Sequence, residues 1–171
     1  MKKSKIIAIS ALSSGFIVIL LTVGAYFPTF DLSCLFMASL VTMLPLSKNS
    51  YPGATLAVIA SSILSLFVSG FRFQIVLPFF LFFGFHPLVN HLAQKKKFNK
   101  WITLAVKDVW FVLTLLLMQF LSEIIAIDIE SIERFIYPIL IVGGALAFFV
   151  YDWFMLRFQT YTDLLIKRLK L

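Results

Sequence analysis

Apolar residues in this chain gather into six long runs, and lysine, proline and acidic residues fall mainly in the short stretches between them. The hydrocarbon core of a bilayer is about 30 Å thick and requires roughly 20 apolar residues in a helix that crosses it. The six runs reach or approach that length. They predict an all-α, polytopic membrane protein whose single domain, 1–171, is a six-helix transmembrane bundle with helices near residues 6–27, 32–47, 51–69, 73–94, 101–127 and 135–158.

The two ends of the chain need separate interpretation. Residues 159–171 mix leucines with Lys167, Arg168 and Lys170, which makes a short amphipathic C-terminal tail at helical spacing. This tail either continues the sixth helix out of the membrane or lies along the membrane interface. The first apolar run is longer than the core of a usual signal peptide, so we expect it to remain as a helix; cleavage after it is the alternative.

Positively charged residues are distributed unequally about the six runs. Of the 15 Lys and Arg residues, only Arg72 and Arg134 fall on the side opposite the N-terminus when the runs alternate in direction. Segments rich in Lys and Arg as a rule stay in the cytoplasm, and they also suit anionic lipid head groups. We therefore expect both termini in the cytoplasm, in the cell (plasma) membrane of a bacterium, with membrane lipids as partners.

The composition fits lipid better than water. Hydrophobic residues make up 61% of the chain and charged residues 13%, whereas soluble domains are roughly half apolar and a quarter charged. A net charge of +7 would suggest nucleic acid for a soluble protein, but no soluble basic face exists here, so we exclude that partner. Cys34 is the only cysteine, which leaves no Cys/His zinc pattern, and we predict neither a metal nor another cofactor.

Polar side chains at similar depth in the fourth, fifth and sixth helices predict an inner-face polar cluster, because a polar group inside a bilayer needs a partner. Its members are His86, Asn90, Lys107, Asp108 and Asp152. Two roles are open for the cluster: a structural tie between helices, or part of a functional site. As alternatives for single members, Lys107 extends to the head groups and Asp108 lies at the interface.

A second polar set lies towards the extracytoplasmic side. Gln119 and Glu123 share a face of the fifth helix at 100° per residue, and Arg72 and Asp31 lie at the outer ends of other helices. These four residues are the candidate ligand-binding set for a small solute. The alternative is that Glu123 lies near the outer interface and only Gln119 is deep in the membrane.

Motifs for catalysis or nucleotide binding are absent from the sequence. It contains no Gly-x-Ser-x-Gly, no His-Glu-x-x-His and no Walker loop. We therefore predict that the chain is not an enzyme and that any active transport is powered by another protein. An intramembrane enzyme is the least favoured class of function.

The opening residues Lys2 to Leu12, together with the size, the basic charge and the six predicted helices, resemble the substrate-binding S component of energy-coupling factor (ECF) vitamin transporters. The resemblance implies a solute site near the extracytoplasmic side and a separate ATPase module that docks through a shared transmembrane subunit. In that family, small residues on helix one contact the transmembrane subunit. The matching positions here are Ala8, Ala11 and Gly15.

Two functions follow as expectations. The first is an S-component-like, small-solute-binding membrane subunit of an ECF-type transporter. The alternative is a non-catalytic membrane scaffold or assembly protein of the cell envelope, similar in size and helix count to small cell-shape membrane proteins. A polar-lined cavity of several hundred Å³ under the outer loops would favour solute binding. A solid apolar interior would favour the scaffold.

Overall fold

The computed structural model describes residues 3–125 and 133–168, and the regular secondary structure within them is helical throughout. A 3₁₀ turn, Pro28–Phe30, precedes the second helix, and a π-helical segment, Phe79–Phe83, lies between the fifth and sixth. The helices are α1 (Lys3–Tyr26), α2 (Asp31–Val41), α3 (Met43–Leu46), α4 (Tyr51–Val68), α5 (Phe73–Pro78), α6 (His86–Lys96), α7 (Lys100–Ile125) and α8 (Glu133–Arg168).

These elements provide six spans that are long and apolar enough to cross a membrane: Ser4–Tyr26, Pro28–Leu46, Tyr51–Val68, Phe73–Lys96, Lys100–Leu121 and Ile136–Thr162. The predicted all-α bundle is confirmed, and the spans are consistent with a multi-pass membrane protein. Because successive spans run in opposite directions, Lys5, Lys48, Lys95 and Lys100 gather at one end of the bundle. We call it the lysine-rich end; Arg72 lies at the opposite end.

The last helix is longer than the sequence predicts. We expected a helix to about residue 158 followed by a tail, and the structure has one continuous helix, Glu133–Arg168. Of the two alternatives for residues 159–171, the structure gives the continuation of the helix, as far as Arg168. The physical reason is that no glycine or proline follows Gly144 to interrupt it.

Helices α1, α2 and α4 form the most closely packed part of the bundle. The face of α4 that packs there consists of small residues at four-residue spacing, which let two helix backbones approach. A Cβ placed on Gly53 would lie 2.5 Å from Oγ of Ser10, so a larger residue at this crossing would have to displace that hydroxyl. One turn further along, Oγ of Ser14 lies 3.4 Å from the carbonyl oxygen of Ala57.

The hairpin of α7 and α8 is held differently. These two helices contact each other closely where Gly144 faces Leu115. Large aromatic side chains join the hairpin to the rest of the bundle: the ring centroid of Phe82 lies 4.9 Å from that of Phe111 and 6.1 Å from that of Phe148. Both α7 and α8 leave wide spaces beside them, and one of these spaces contains the candidate site.

Candidate functional site

A buried carboxylate on α8 joins three helices in the half of the bundle nearer the lysine-rich end. Oδ1 of Asp152 accepts a hydrogen bond from Nζ of Lys107 at 2.5 Å and from Nδ2 of Asn90 at 3.3 Å. Nε2 of His86 lies 3.0 Å from the same oxygen. All four side chains are buried. These four residues are called the charged cluster below.

Asn90 makes the charged cluster a closed ring. Its Oδ1 accepts a hydrogen bond from Nζ of Lys107 at 2.6 Å, while its Nδ2 donates to Asp152. His86 and Asn90 are four residues apart on α6 and therefore share one face of that helix. One face of α6 thus supplies two polar partners to an ion pair formed between α7 and α8.

The local sequence of the fourth span explains why His86 and Asn90 face inward. Pro78 cannot donate a backbone hydrogen bond, and a π-helical segment follows it, which changes the phase of the helix. The chain turns at Gly84, and α6 starts with Pro87 in its first turn. At this break the carbonyl oxygen of Phe83 accepts a hydrogen bond from Oγ of Ser39 at 2.7 Å.

Aromatic rings surround the charged cluster. The ring of His86 lies 5.1 Å from Phe82 and 4.9 Å from Tyr151, centroid to centroid. Nζ of Lys107 lies 5.9 Å from the ring centroid of Phe148. The hydroxyl of Tyr151 in turn lies 2.9 Å from Oγ of Ser39. This apolar wall excludes water on one side and strengthens the electrostatic attraction inside the charged cluster.

The charged cluster is stable inside the bundle because its positive and negative charges balance. Removing a single ion from water is unfavourable by several kcal/mol, even after relaxation of the protein. In the charged cluster one ammonium group neutralises one carboxylate, and the amide of Asn90 bonds to both. Loss of either ion would leave the other uncompensated. Ionisable groups held in this way inside a membrane span are typical of functional sites.

The charged cluster forms the floor of a cavity of about 680 Å³ between α6, α7 and α8. Asn90, Lys107 and Asp152 line its inner part, and the exposed residues Lys97 and Lys100 line its mouth at the lysine-rich end. Cavities that hold small molecules measure roughly 300 to 1,000 Å³. The described lining contains three lysines and one carboxylate, so the cavity carries excess positive charge and favours an anion.

Sequence reasoning brought four members of the charged cluster together but misplaced a fifth. Asp108 is half-buried and lies outside the ring, and its Oδ1 has no hydrogen-bond partner among the described residues. The physical reason is its position next to Lys107, since neighbours on a helix point about 100° apart. Similar depth in the membrane was therefore insufficient to place both residues in one cluster.

Several residues of the site were missed by sequence reasoning. Lys97 and Lys100 were counted only as topology signals, although they line the cavity. Tyr151 and Ser39 were missed as well, although they flank His86 and the turn before it. No signal in the sequence singles out Tyr151, because adjacent residues of a helix point about 100° apart and its position next to Asp152 does not place it in the cluster.

The predicted ligand-binding set at the opposite end is only partly brought together. Arg72 and Asp31 both line a small cavity of about 50 Å³. Nη1 of Arg72 donates to the carbonyl oxygen of Ala25 at 2.6 Å. Gln119 is half-buried on α7 and is not among the described lining residues of this cavity, and the side chain of Glu123 lies outside the described residues. This cavity, beside Arg72 and Asp31, is too small for a vitamin-sized solute.

The predicted docking residues on α1 lie on its outer surface. Ala8, Ala11 and Gly15 are all exposed, and a Cβ on Gly15 would meet nothing within 4 Å. The small residues of α1 that face the bundle include Ser13, which is fully buried, and Gly24 and Ala25 near the end of the helix. The exposed stripe is therefore not used for packing within the described bundle.

Comparison of the chain with protein-family models, with curated proteins and with solved structures gives no match. Within residues 3–125 and 133–168, no three His, Cys, Asp or Glu residues are grouped so that they could hold a metal ion. His91, which the sequence places near His86, instead pairs its Nδ1 with the hydroxyl of Tyr51 at 2.8 Å.

Proposed function

We propose that this chain is a solute-binding membrane subunit, similar in role to the S component of an ECF-type transporter, and that its solute is a small anion. The observation that carries the proposal is the buried Lys107–Asp152 pair on the floor of the 680 Å³ cavity. A purely structural tie needs no space beside it, whereas a binding site does. The proposed site lies at the lysine-rich end, in contrast to the outer site that the resemblance implies.

The orientation is part of this proposal. The lysine-rich end would face the cytoplasm, with both termini there, because Lys and Arg are retained on the cytoplasmic side of membranes. The cavity would then open towards the cytoplasm of a bacterial cell. A reporter fused at Phe98, between α6 and α7, should therefore be active only if it is a cytoplasmic reporter.

Binding can be tested with small anions of known structure. We expect inorganic phosphate or succinate to raise the thermal stability of the purified protein in neutral detergent, since a ligand that binds only the folded state stabilises it. Lys100→Gln, at the mouth of the cavity, should abolish most of this shift. Lys95→Gln is the matched control, because Lys95 lies on α6 outside the described lining. Equal loss in both variants would indicate general surface charge and would contradict the site.

A separate energising module would dock on α1. The exposed stripe of Ala8, Ala11 and Gly15 supports this part of the proposal, because small residues allow another helix to approach. Mild-detergent purification should recover a transmembrane transporter subunit together with its ATPase. Ala11→Trp should abolish the recovery, and Ala60→Trp, at an exposed alanine of α4, should leave it intact.

The same stripe also favours a second candidate function, a scaffold or assembly protein of the cell envelope. A scaffold would dock partners on α1 without using the cavity. Recovery of cell-wall or division proteins, sensitive to Ala11→Trp and accompanied by no response to any anion, would support the scaffold and reject the solute-binding function.

A further inference from the structure

An apolar groove of about 360 Å³ lies beside the polar cavity, between α6 and α7. The two spaces share part of their walls: Ala93, Phe98, Thr103 and Lys107 line both. Lys107 therefore lines the charged cavity and also the groove. Neighbouring polar and apolar spaces of this kind suit a molecule with one polar and one apolar part.

The groove is open to the surrounding membrane. Its wall includes Leu92, Ile102 and Val106, which are all exposed on the surface of α6 and α7. Ile102 and Val106 are one helical turn apart and form a continuous apolar strip. Such a strip suits an extended hydrocarbon chain that arrives from the bilayer and has no polar group of its own.

Charge complementarity identifies the other part of the molecule. Lys97 and Lys100 lie at the mouth of the cavity and Lys107 at its floor, while Asp152 compensates only one of these charges. Basic pockets between helices on the cytoplasmic side of a membrane are typical sites for anionic lipid head groups. Three lysines beside an apolar groove thus suit a ligand that has an anionic acid group and an attached apolar chain.

We infer that the ligand is an anionic amphiphile, with a phosphate or carboxylate group in the lysine-lined cavity and one apolar chain in the groove between α6 and α7. This inference rests on the proposed function, because it names the ligand class of the same site. It differs from a free anion in two respects: the apolar chain contributes to affinity, and the membrane rather than the cytoplasm supplies the ligand.

The inference can be tested with dodecyl phosphate as the probe and inorganic phosphate as its chainless counterpart. Native mass spectrometry in a neutral detergent counts bound dodecyl phosphate, and thermal shifts give both affinities. We expect dodecyl phosphate to bind at least about tenfold more tightly than inorganic phosphate, because a few buried methylene groups are enough for this difference.

Two tryptophan variants locate the chain. Val106→Trp fills the groove, and Val109→Trp is the matched control on the same helix, since the two valines are 63% and 57% exposed and only Val106 lines the groove. Val106→Trp should weaken dodecyl phosphate about tenfold and leave inorganic phosphate unchanged. Val109→Trp should change neither.

The outcomes separate this inference from the proposed function. If both probes bind equally well and Val106→Trp has no effect, while Lys100→Gln still weakens both, the amphiphile is rejected and the anion site is retained. If neither probe binds the wild-type protein, both proposals fail. If dodecyl phosphate binds but Val106→Trp and Val109→Trp weaken it equally, the chain lies elsewhere and the inference is overturned.

Discussion

The packing of α1 against α4 and the attachment of the α7–α8 hairpin show two different ways of holding polar groups inside a membrane. In the first region serine hydroxyls bond to carbonyls of their own helix, such as Ser13 to Ile9 at 2.9 Å and Ser62 to Val58 at 2.8 Å, and Ser14 also makes a long contact of 3.4 Å to Ala57 across the interface. In the second region charged groups bond between helices, as Lys107 does with Asp152. The short, charged contacts between spans therefore lie in the second region.

The two kinds of packing differ in whether they leave space for a ligand. A helix that satisfies its own hydroxyls can pack through small residues alone, because lipid provides no hydrophobic drive for association and close van der Waals contact replaces it. Such an interface has no space and no unused charge. The hairpin is held by large rings and by charges, which leave cavities beside them. Binding is therefore expected beside the hairpin and not between α1 and α4.

The sharpest test of this comparison is the loss of one ion from the charged cluster. Lys107→Met should lower the free energy of unfolding by about 3 to 5 kcal/mol, because the carboxylate of Asp152 would stay buried without its counterion. Unfolding of the purified protein in mixed micelles measures the change. Asp152→Leu should have a comparable effect for the same reason, with the ammonium group left unpaired.

The double variant distinguishes pairing from general disruption. Lys107→Met combined with Asp152→Leu removes both charges together, so its loss of stability should be clearly smaller than the sum of the two single losses. Additive losses would mean that the two ions do not interact and would contradict the charged cluster as described.

The second prediction concerns the region without charges. Gly53→Ala should destabilise the protein by about 1 to 3 kcal/mol, because the new methyl group would meet Oγ of Ser10 at 2.5 Å. Gly143→Ala is the matched control, since a Cβ there would meet nothing within 4 Å. Because alanine favours a helix over glycine by about 1 kcal/mol, Gly143→Ala should be neutral or slightly stabilising in the same unfolding assay. A similar change in both variants would contradict close packing at Gly53.

The sequence was sufficient for the spans and for much of the charged cluster. Apolar length determines whether a segment can cross a membrane, so six runs predicted six spans. His86, Asn90, Lys107 and Asp152 were grouped because polar residues at equal depth need one another. Depth is a property of position along a helix, and position can be counted in the sequence.

The remaining features depend on rotation and spacing, which cannot be counted in that way. Asp108 has the depth of Lys107 but the wrong direction, and the π-helical segment after Pro78 changes which face of the fourth span points inward. The 680 Å³ cavity is a space left between three helices. No single residue encodes such a space, so the sequence did not predict this cavity.

A third prediction tests a neutral hydrogen bond between helices, made by a serine hydroxyl of α2. Oγ of Ser39 on α2 donates to the carbonyl oxygen of Phe83 at 2.7 Å and lies 2.9 Å from the hydroxyl of Tyr151. Ser39→Ala should reduce stability by about 1 kcal/mol, the size of a hydrogen bond between helices in a membrane. Ser33→Ala, at an exposed serine of α2, should have no measurable effect in the same assay.

The smallest expected effect belongs to the carboxylate outside the charged cluster. Asp108 lies one residue from Lys107, yet its Oδ1 has no hydrogen-bond partner among the described residues. The substitution breaks no hydrogen bond at Oδ1, and the side chain is only half-buried, so Asp108→Asn should change stability by less than about 0.5 kcal/mol. Asp152→Asn makes the same chemical change inside the cluster and should be destabilising by several times as much, because the ammonium group of Lys107 loses its counterion. Equal effects of the two substitutions in the mixed-micelle assay would mean that burial alone, and not pairing between helices, determines how this membrane bundle tolerates charge.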